Sequence, residues 1–335
     1  MTDAARPQTA WALAGGWCWF DRAERIERGG ARRVIAAEDL PGDVLARLTS
    51  PRAPIAGLGT ETPRLMGILN VTPDSFSDGG QFNAPDAALA RAQQMRRDGA
   101  EIIDIGGEST RPGAKQLSPH EEIARTELVI AALQAAAPDG VISIDSRNAL
   151  TTRAAVAAGA RLINDVSALT HDPDMAGLAA QSGLPVCLMH ALGDPATMQD
   201  DPRYDDVLLD VYDFLATRVA VAEAAGIARD RIILDPGIGF GKTVQHNLAL
   251  IRGMSLFHGL GCVLMLGASR KRFIGSLASG TGGMVEASAR MPGSVAVGLA
   301  AVAQGVQWLR VHDVAPTWQA LRLWQAVTIG KGAKP

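Results

Sequence analysis

Asp145, Asn164, Asp235 and Lys271 follow the ends of four different apolar runs. A carboxylate buried at such a place needs partners, or it takes up a proton. A flat ligand with several N–H groups supplies them. Asp accepts two N–H bonds side by side and Asn both donates and accepts, which suits an aminopyrimidine-like ring. Lys271 and its neighbour Arg270 complete the charge balance. The structural alternative is that Asp145 and Asn164 cap helices beginning just after them. A second set of residues suits an anion. Arg310 and His312 lie two apart on one apolar run, so their side chains share a strand face. Arg111 follows the second run, and Asn70 offers an amide oxygen at no charge cost. Such groups fit a phosphate or pyrophosphate. Asn70 also suits Mg²⁺, a hard ion that takes oxygen ligands and keeps waters. For Arg310 the competing reading is a plain surface ion pair.

These residues need elements that bring them together. Leu65 to Leu69 is an apolar run that stops at Asn70, before a loop rich in Gly, Pro, Ser and Asp. Such an ending marks a fully buried parallel strand. The pattern recurs at Ile102–Ile105, Val141–Ile144, Arg161–Ile163, Pro185–Met189, Ile232–Leu234, Cys262–Leu266 and Trp308–Val311. Helical composition fills the gaps, as over Asp86–Asp98, Glu121–Ala137, Asn148–Ala158, Met175–Ser182, Tyr204–Ala225, Gln245–Ile251 and Ser294–Gln304. Strands alternating with helices predict βαβ units and a parallel sheet. Eight of them predict an α/β fold, the (β/α)8 TIM barrel. There the strand ends converge on one face, so Asn70, Asp104, Asp145, Asn164, His190, Asp235, Lys271, Arg310 and His312 would ring one pocket. A doubly wound open sheet is the alternative, but it rarely uses so many strand ends for one site.

Composition narrows the field. A chain of 335 residues with 47% hydrophobic content supports one large domain with an appendage. The net charge of -3 and the lack of a basic run give nucleic acid no electrostatic footprint. No apolar stretch reaches membrane-spanning length, and the first residues do not read as a signal peptide. Cys18, Cys187 and Cys262 are far apart and read as buried hydrophobes in a reducing cytoplasm. Residues 1–60 show no βα repeat and concentrate Trp11, Trp17, Trp19 and five arginines between Arg22 and Arg33. They read as an N-terminal accessory segment packing on a barrel of residues 63–330, with partner binding as the alternative. Gly237–Thr243 ends like a P-loop. A P-loop has four residues between its first Gly and its Gly-Lys-Thr, and Pro236 stands where that first Gly would fall. The glycines instead let backbone run close to a flat ligand, with Phe240 as a lid or stacking group. No His-x-x-x-His or Cys/His pairing supports zinc.

With these motifs in place, the chain resembles the dihydropteroate synthases of folate biosynthesis, the sulfonamide targets. The shared motifs are the eleven-residue stretch from Asn70 to Gly80 and the ten-residue stretch from Asp104 to Gly113. To these add Ser143-Ile-Asp-Ser, Ile163-Asn-Asp-Val-Ser, Asp235-Pro-Gly-Ile-Gly-Phe-Gly-Lys, Ser269-Arg-Lys and Arg310-Val-His-Asp, all in order. The resemblance covers about residues 63–330. It implies a pterin-binding barrel, usually a homodimer, in the cytoplasm. It implies condensation of 6-hydroxymethyl-7,8-dihydropterin diphosphate with p-aminobenzoate to 7,8-dihydropteroate and pyrophosphate, with Mg²⁺. By the same resemblance Asp145, Asn164, Asp235 and Lys271 hold the pterin and form the catalytic set, and Met189 packs on the ring. Asn70, Arg310 and His312 hold the diphosphate with the metal. Thr110, Pro112, Phe240 and the Ser269–Lys271 segment shape the p-aminobenzoate pocket.

Loss of pyrophosphate would leave a methylene cation delocalised into the pterin and captured by the weakly basic aniline nitrogen. The Gly-rich loops 71–84 and 107–119 are then candidate lids that exclude water. Where the family often has Ser after Ser-Arg-Lys, this chain has Arg272. Two alternatives compete. A pterin-binding methyltransferase domain would not need Asn70, Arg310 and His312. A catalytically silent homologue would have lost motif residues, and none of those named is lost.

Overall fold

The computed structural model describes residues 6–71, 84–108, 117–193, 197–279 and 283–330. Thr110, Arg111, Pro112 and most of the two Gly-rich loops lie outside the described residues.

Eight parallel strands close into a barrel in chain order, with the last paired back to the first. An N-terminal portion comes first, with two short antiparallel hairpins, β1 (Trp11–Ala12) with β2 (Trp19–Phe20) and β3 (Arg22–Arg25) with β4 (Arg33–Ala36), then helix α1 (Gly42–Thr49). The barrel strands are β5 (Arg64–Asn70), β6 (Ile102–Gly106), β7 (Val141–Asp145), β8 (Leu162–Asp165), β9 (Val186–Met189), β10 (Ile232–Asp235), β11 (Val263–Leu266) and β12 (Trp308–Val311). Between them run α2 (Ala84–Arg97), α3 (Pro119–Ala136), α4 (Ala149–Ala158), α5 (Met175–Ser182), α6 (Val207–Ala224), α7 (Val244–Arg252), α8 (Arg272–Ala278) and α9 (Met291–Val302), and α10 (Val314–Ile329) closes the chain. The expected barrel is the observed one. In four strands the polar residue read as following the run is itself in the strand: Asn70, Asp145, Asn164 and Asp235.

Capping explains several helix starts. The Ser118 backbone N–H donates to Glu121 Oε2 at 3.0 Å while Glu121 N–H donates back to Ser118 Oγ, and Pro119 opens α3. Asp206 accepts the Leu208 and Leu209 amides at the start of α6. Asp145 and Asn164 cap no helix through their side chains; that structural alternative is not realised. The α4 cap position is Asn148, and α5 follows Asp174.

The barrel is filled from both ends. Towards the strand N-termini a cluster of Met66, Ile102, Val141, Leu162, Cys187, Ile233, Val263, Met265 and Trp308 is sealed by Ile55. Burying one such side chain contributes about 1.5–3 kcal/mol. The N-terminal portion is tied to the outer shell by polar contacts. Trp17 Nε1 donates to Val302 O at 2.8 Å, and Arg52 donates to Cys262 O and His258 O at 3.1 and 2.9 Å. Arg28 pairs with Asp210 and Asp213 on α6. All three cysteines are free and buried; burial pushes the Cys18 thiol up to about 11 and the Cys262 thiol up to about 12. Among the described residues, no helix is long and apolar enough to cross a membrane.

Candidate active site at the strand C-termini

Strand register explains why the predicted residues meet. Asn70 lies beside Gly106, Gly106 beside Asp145, and Asp145 beside Asn164, across four neighbouring strands at one level. Gly106 leaves a gap in that row: a methyl there would sit 3.5 Å from Asp145 Cβ and 3.6 Å from Asn70 Oδ1.

Arg310 fills the centre. Its Nε donates to Asp104 Oδ2 and its Nη2 to Asp145 Oδ2, both at 2.6 Å. Asn164 Nδ2 donates to the same Asp104 oxygen at 3.0 Å. The surface ion pair considered for Arg310 is therefore replaced by a buried pair with two carboxylates. Burial pushes Asp145 up to about 7 against the pull of Arg310, with Asp104 and Glu122 adding to the rise. Burial also works against the Arg310 cation, but Asp104 and Asp145 outweigh it, so its pKa is raised. Asp104 Oδ1 is buried with no hydrogen-bond partner among the described residues.

On the opposite wall Asp235 accepts the Gly237 amide on Oδ1 at 2.7 Å and the Gly267 amide on Oδ2 at 3.1 Å. Burial raises its pKa, while the Gly237 amide and the charges of Lys271 and Arg310 pull the other way. The Lys271 ammonium stands 3.9 Å from the Phe240 ring centroid, a cation–π contact. Phe240 packs with Met189 and Met198. Ser269 Oγ lies 3.0 Å from His312 Nδ1 and accepts the His312 backbone N–H at 3.2 Å. Burial, then Arg310 and Arg270, push His312 down to about 3, so its ring is neutral.

Between Ser269 and Lys271, Arg270 has a φ of 58°, in the left-handed region. Its guanidinium pairs with Asp313, its N–H donates to Ser294 Oγ at 2.8 Å, and its carbonyl accepts Arg290 Nη1 at 3.0 Å. The strained residue faces away from the pocket while both neighbours take part in it.

One residue departs from the expected ring. His190 contacts Lys242 and lies edge-on to Phe214 at 4.8 Å. Asp104, expected in the ring without a role of its own, is fully buried and holds both Arg310 and Asn164. A charged residue inside an otherwise apolar strand run was the available signal. Lys242 also had no assigned role. The Thr243 of the P-loop-like ending caps α7, accepting the His246 amide at 3.2 Å.

Among the described residues no group of three or more His, Cys, Asp or Glu could hold a metal. Asn70 is the one predicted metal ligand. A single amide oxygen next to the gap at Gly106 suits an ion that keeps waters and ligand oxygens in its shell.

Residues 66–312 match the family described as pterin binding enzyme. The dihydropteroate synthase of Neisseria meningitidis serogroup C is 48% identical over 276 residues, covering 81% of this chain and 95% of its own. The structure of Xanthomonas albilineans dihydropteroate synthase with 4-aminobenzoic acid superposes with a TM-score of 0.77 at 45% identity, covering 86% of this chain and all of that one. The same organism's enzyme in complex with 7,8-dihydropteroate gives 0.74 at 42% identity, covering 85% of this chain and all of that one. This chain belongs to the pterin-binding enzyme family and, within it, to the dihydropteroate synthases.

Proposed function

We propose that the protein joins 6-hydroxymethyl-7,8-dihydropterin diphosphate to p-aminobenzoate at the face built by Asn70, Asp145, Asn164, Asp235, Lys271, Arg310 and His312. The observation that carries this reading is the pair of carboxylates on adjacent strands, Asp104 and Asp145, which accept from the N–H edge of Arg310, with the Asn164 amide donating to Asp104 beside them. An aminopyrimidine offers the same donor edge. A pterin that takes over Asp145 releases the Nη2 side of Arg310 toward the diphosphate that follows it into the mouth of the barrel. Asp235 and Lys271 complete the pterin wall, and Met189 packs on the ring.

The chemical step breaks the bond between the methylene carbon and the diphosphate oxygen, and the electron pair leaves with pyrophosphate. Arg310 and the neutral His312 receive that charge, one as an ion-pair partner and the other as a hydrogen-bond partner. Asn70 would hold Mg²⁺ when it is bound, and the ion would add to the neutralisation of the leaving group. The carbon left behind shares its positive charge with the pterin, where ionised Asp145 stabilises it. The aniline nitrogen of p-aminobenzoate then donates its lone pair to that carbon and loses a proton to water. This nitrogen is largely unprotonated at neutral pH, so no strong base is required. Phe240, Ser269 and Lys271 shape the p-aminobenzoate side, together with Thr110, Arg111 and Pro112 from the loop outside the described residues. Sulfonamides compete at the same place, and the working unit is a homodimer in the cytoplasm.

The test is pyrophosphate release by purified protein given dihydropterin diphosphate, Mg²⁺ and p-aminobenzoate, with each component omitted in turn. Release that depends on p-aminobenzoate, with dihydropteroate formed, supports the reading. Binding of the pterin diphosphate without release would sink it in favour of a silent homologue.

A further inference from the structure

Among the described residues Lys242 is buried with no carboxylate in ion-pair contact, and burial pulls it down to about 7 against the attraction of Asp235. Only 3% of the lysine's surface is exposed. Its Nζ lies 2.8 Å from His190 Nδ1 and donates to Phe240 O at 2.9 Å and His190 O at 3.5 Å. An ammonium has three N–H donors, and here each has an acceptor. With the charged amine donating, Nδ1 accepts and the imidazole N–H sits on Nε2. Burial, then Lys242, push His190 down to about 3, so the ring stays neutral and able to accept. Burying a charge this way is costly unless its hydrogen bonds are complete.

The three contacts join two strand ends that build the pocket. His190 directly follows Met189 at the end of β9, and Phe240 lies in the loop after β10. The loop is pressed flat against its neighbour. A methyl at Gly237 would meet His190 O at 1.8 Å, and one at Gly241 would meet Leu192 Cβ at 2.6 Å. Both glycines have positive φ, 69° and 62°. Lys242 therefore fixes how deep the Phe240 backbone sits, and the Phe240 ring carries the Lys271 ammonium. Gly239 adds a second contact, since a methyl there would meet Lys271 Cδ at 3.0 Å. The lysine of a P-loop-like sequence points inward and staples backbone, while its glycines allow the close approach.

We propose that Lys242 is a positioning residue for the condensation: it holds Phe240, and through Phe240 the Lys271 side chain, at the depth that p-aminobenzoate and the pterin require. This rests on the synthase reading above. A displacement of about 1 Å in a positioning group is enough to cost a large factor in rate.

The experiment is a double-mutant cycle in the full chain with Lys242→Met, Phe240→Leu and both, read by steady-state kinetics. Lys242→Met keeps the length and apolar stem but removes every donor. The expected result is a fall of at least about fivefold in kcat/KM for p-aminobenzoate, carried mainly by KM. In the Phe240→Leu background the same change costs less than about twofold, because its target is already gone. Lys242→Gln, which keeps an N–H donor, recovers part of the loss. Full additivity in the cycle, or wild-type kinetics in Lys242→Met, overturns the proposal. If Lys242→Met does not fold, the cycle with Lys242→Gln decides the same question. Crystal structures give a readout independent of turnover. Phe240 leaving Lys271 in Lys242→Met supports the proposal, and an unmoved Phe240 overturns it. Absent turnover in the wild type would fail the synthase reading alone.

Discussion

Arg310 Nη2 lies 2.6 Å from Asp145 Oδ2, while the Nε of the same guanidinium holds Asp104. One planar fork thus satisfies carboxylates from two strands, and it occupies the edge that an aminopyrimidine needs. The cation expected at the diphosphate is, without ligand, the partner of the pterin-binding acid.

This exchange predicts unequal losses. Arg310→Ala removes the diphosphate partner but also removes a competitor for Asp145. Binding of the pterin diphosphate, measured by calorimetry, should weaken at least about tenfold. Binding of the same pterin without its diphosphate should weaken by a much smaller factor. Equal losses for both ligands would contradict the exchange. Asp145→Asn keeps the shape but loses the charge, and turnover should fall at least about tenfold.

Asp145 also predicts a pH dependence. Burial lifts its carboxyl to about 7 from an ordinary value of 3.8. If the ionised form holds the pterin and its developing cation, kcat/KM rises with pH through about 7 and then levels. The stability sign is opposite. Between about 4 and about 7 the folded protein keeps a proton that the unfolded chain releases. Ionising Asp145 therefore lowers stability as pH rises through that window, and the contribution is constant above it. In Asp145→Asn both effects should vanish from the pH profiles of activity and thermal midpoint. An unchanged acidic limb would assign it to another group.

The seal at the opposite end of the barrel makes a third prediction. Ile55 is 1% exposed and closes the cluster around Trp308, at the other end of the strands from the acceptor row. Ile55→Ala should cost about 2–5 kcal/mol of stability through the cavity it leaves. Its kcat at a permissive temperature should stay within about twofold of wild type. Deleting residues 1–60 should likewise act on stability before chemistry. A folded variant that has lost turnover would show that the segment reaches the site.

The barrel was legible because each buried parallel strand is a short apolar run ended by a polar residue, and register does the rest. Asn70, Asp145 and Asn164 line up because their strands pair in register, which follows from the closed barrel once the runs are recognised. What sequence could not supply was side-chain direction. Asp104 stands two residues before Gly106 on the same strand, so its side chain points to the same interior and reaches Arg310. His190 ends its strand like the others, yet it turns to Lys242 because the loop after Asp235 folds back over it. The two N-terminal hairpins are too short to show a strand period, β1 and β2 being two residues each. Loop contacts between distant segments leave no spacing to read.

Lys271 separates charge from packing. Its stem crosses Gly239 and its ammonium stands over Phe240, so part of its role is apolar contact. Its charge also opposes the burial-driven rise of Asp235. Lys271→Ala removes both contributions and should cut kcat/KM at least about tenfold. Lys271→Met keeps the stem and removes the charge. If the ammonium is what the pterin wall needs, Met recovers little, and the Asp235 carboxyl rises further because one of the cations that opposes its burial is gone. If Met restores most of the activity, Lys271 acts as a packing group and the catalytic assignment fails.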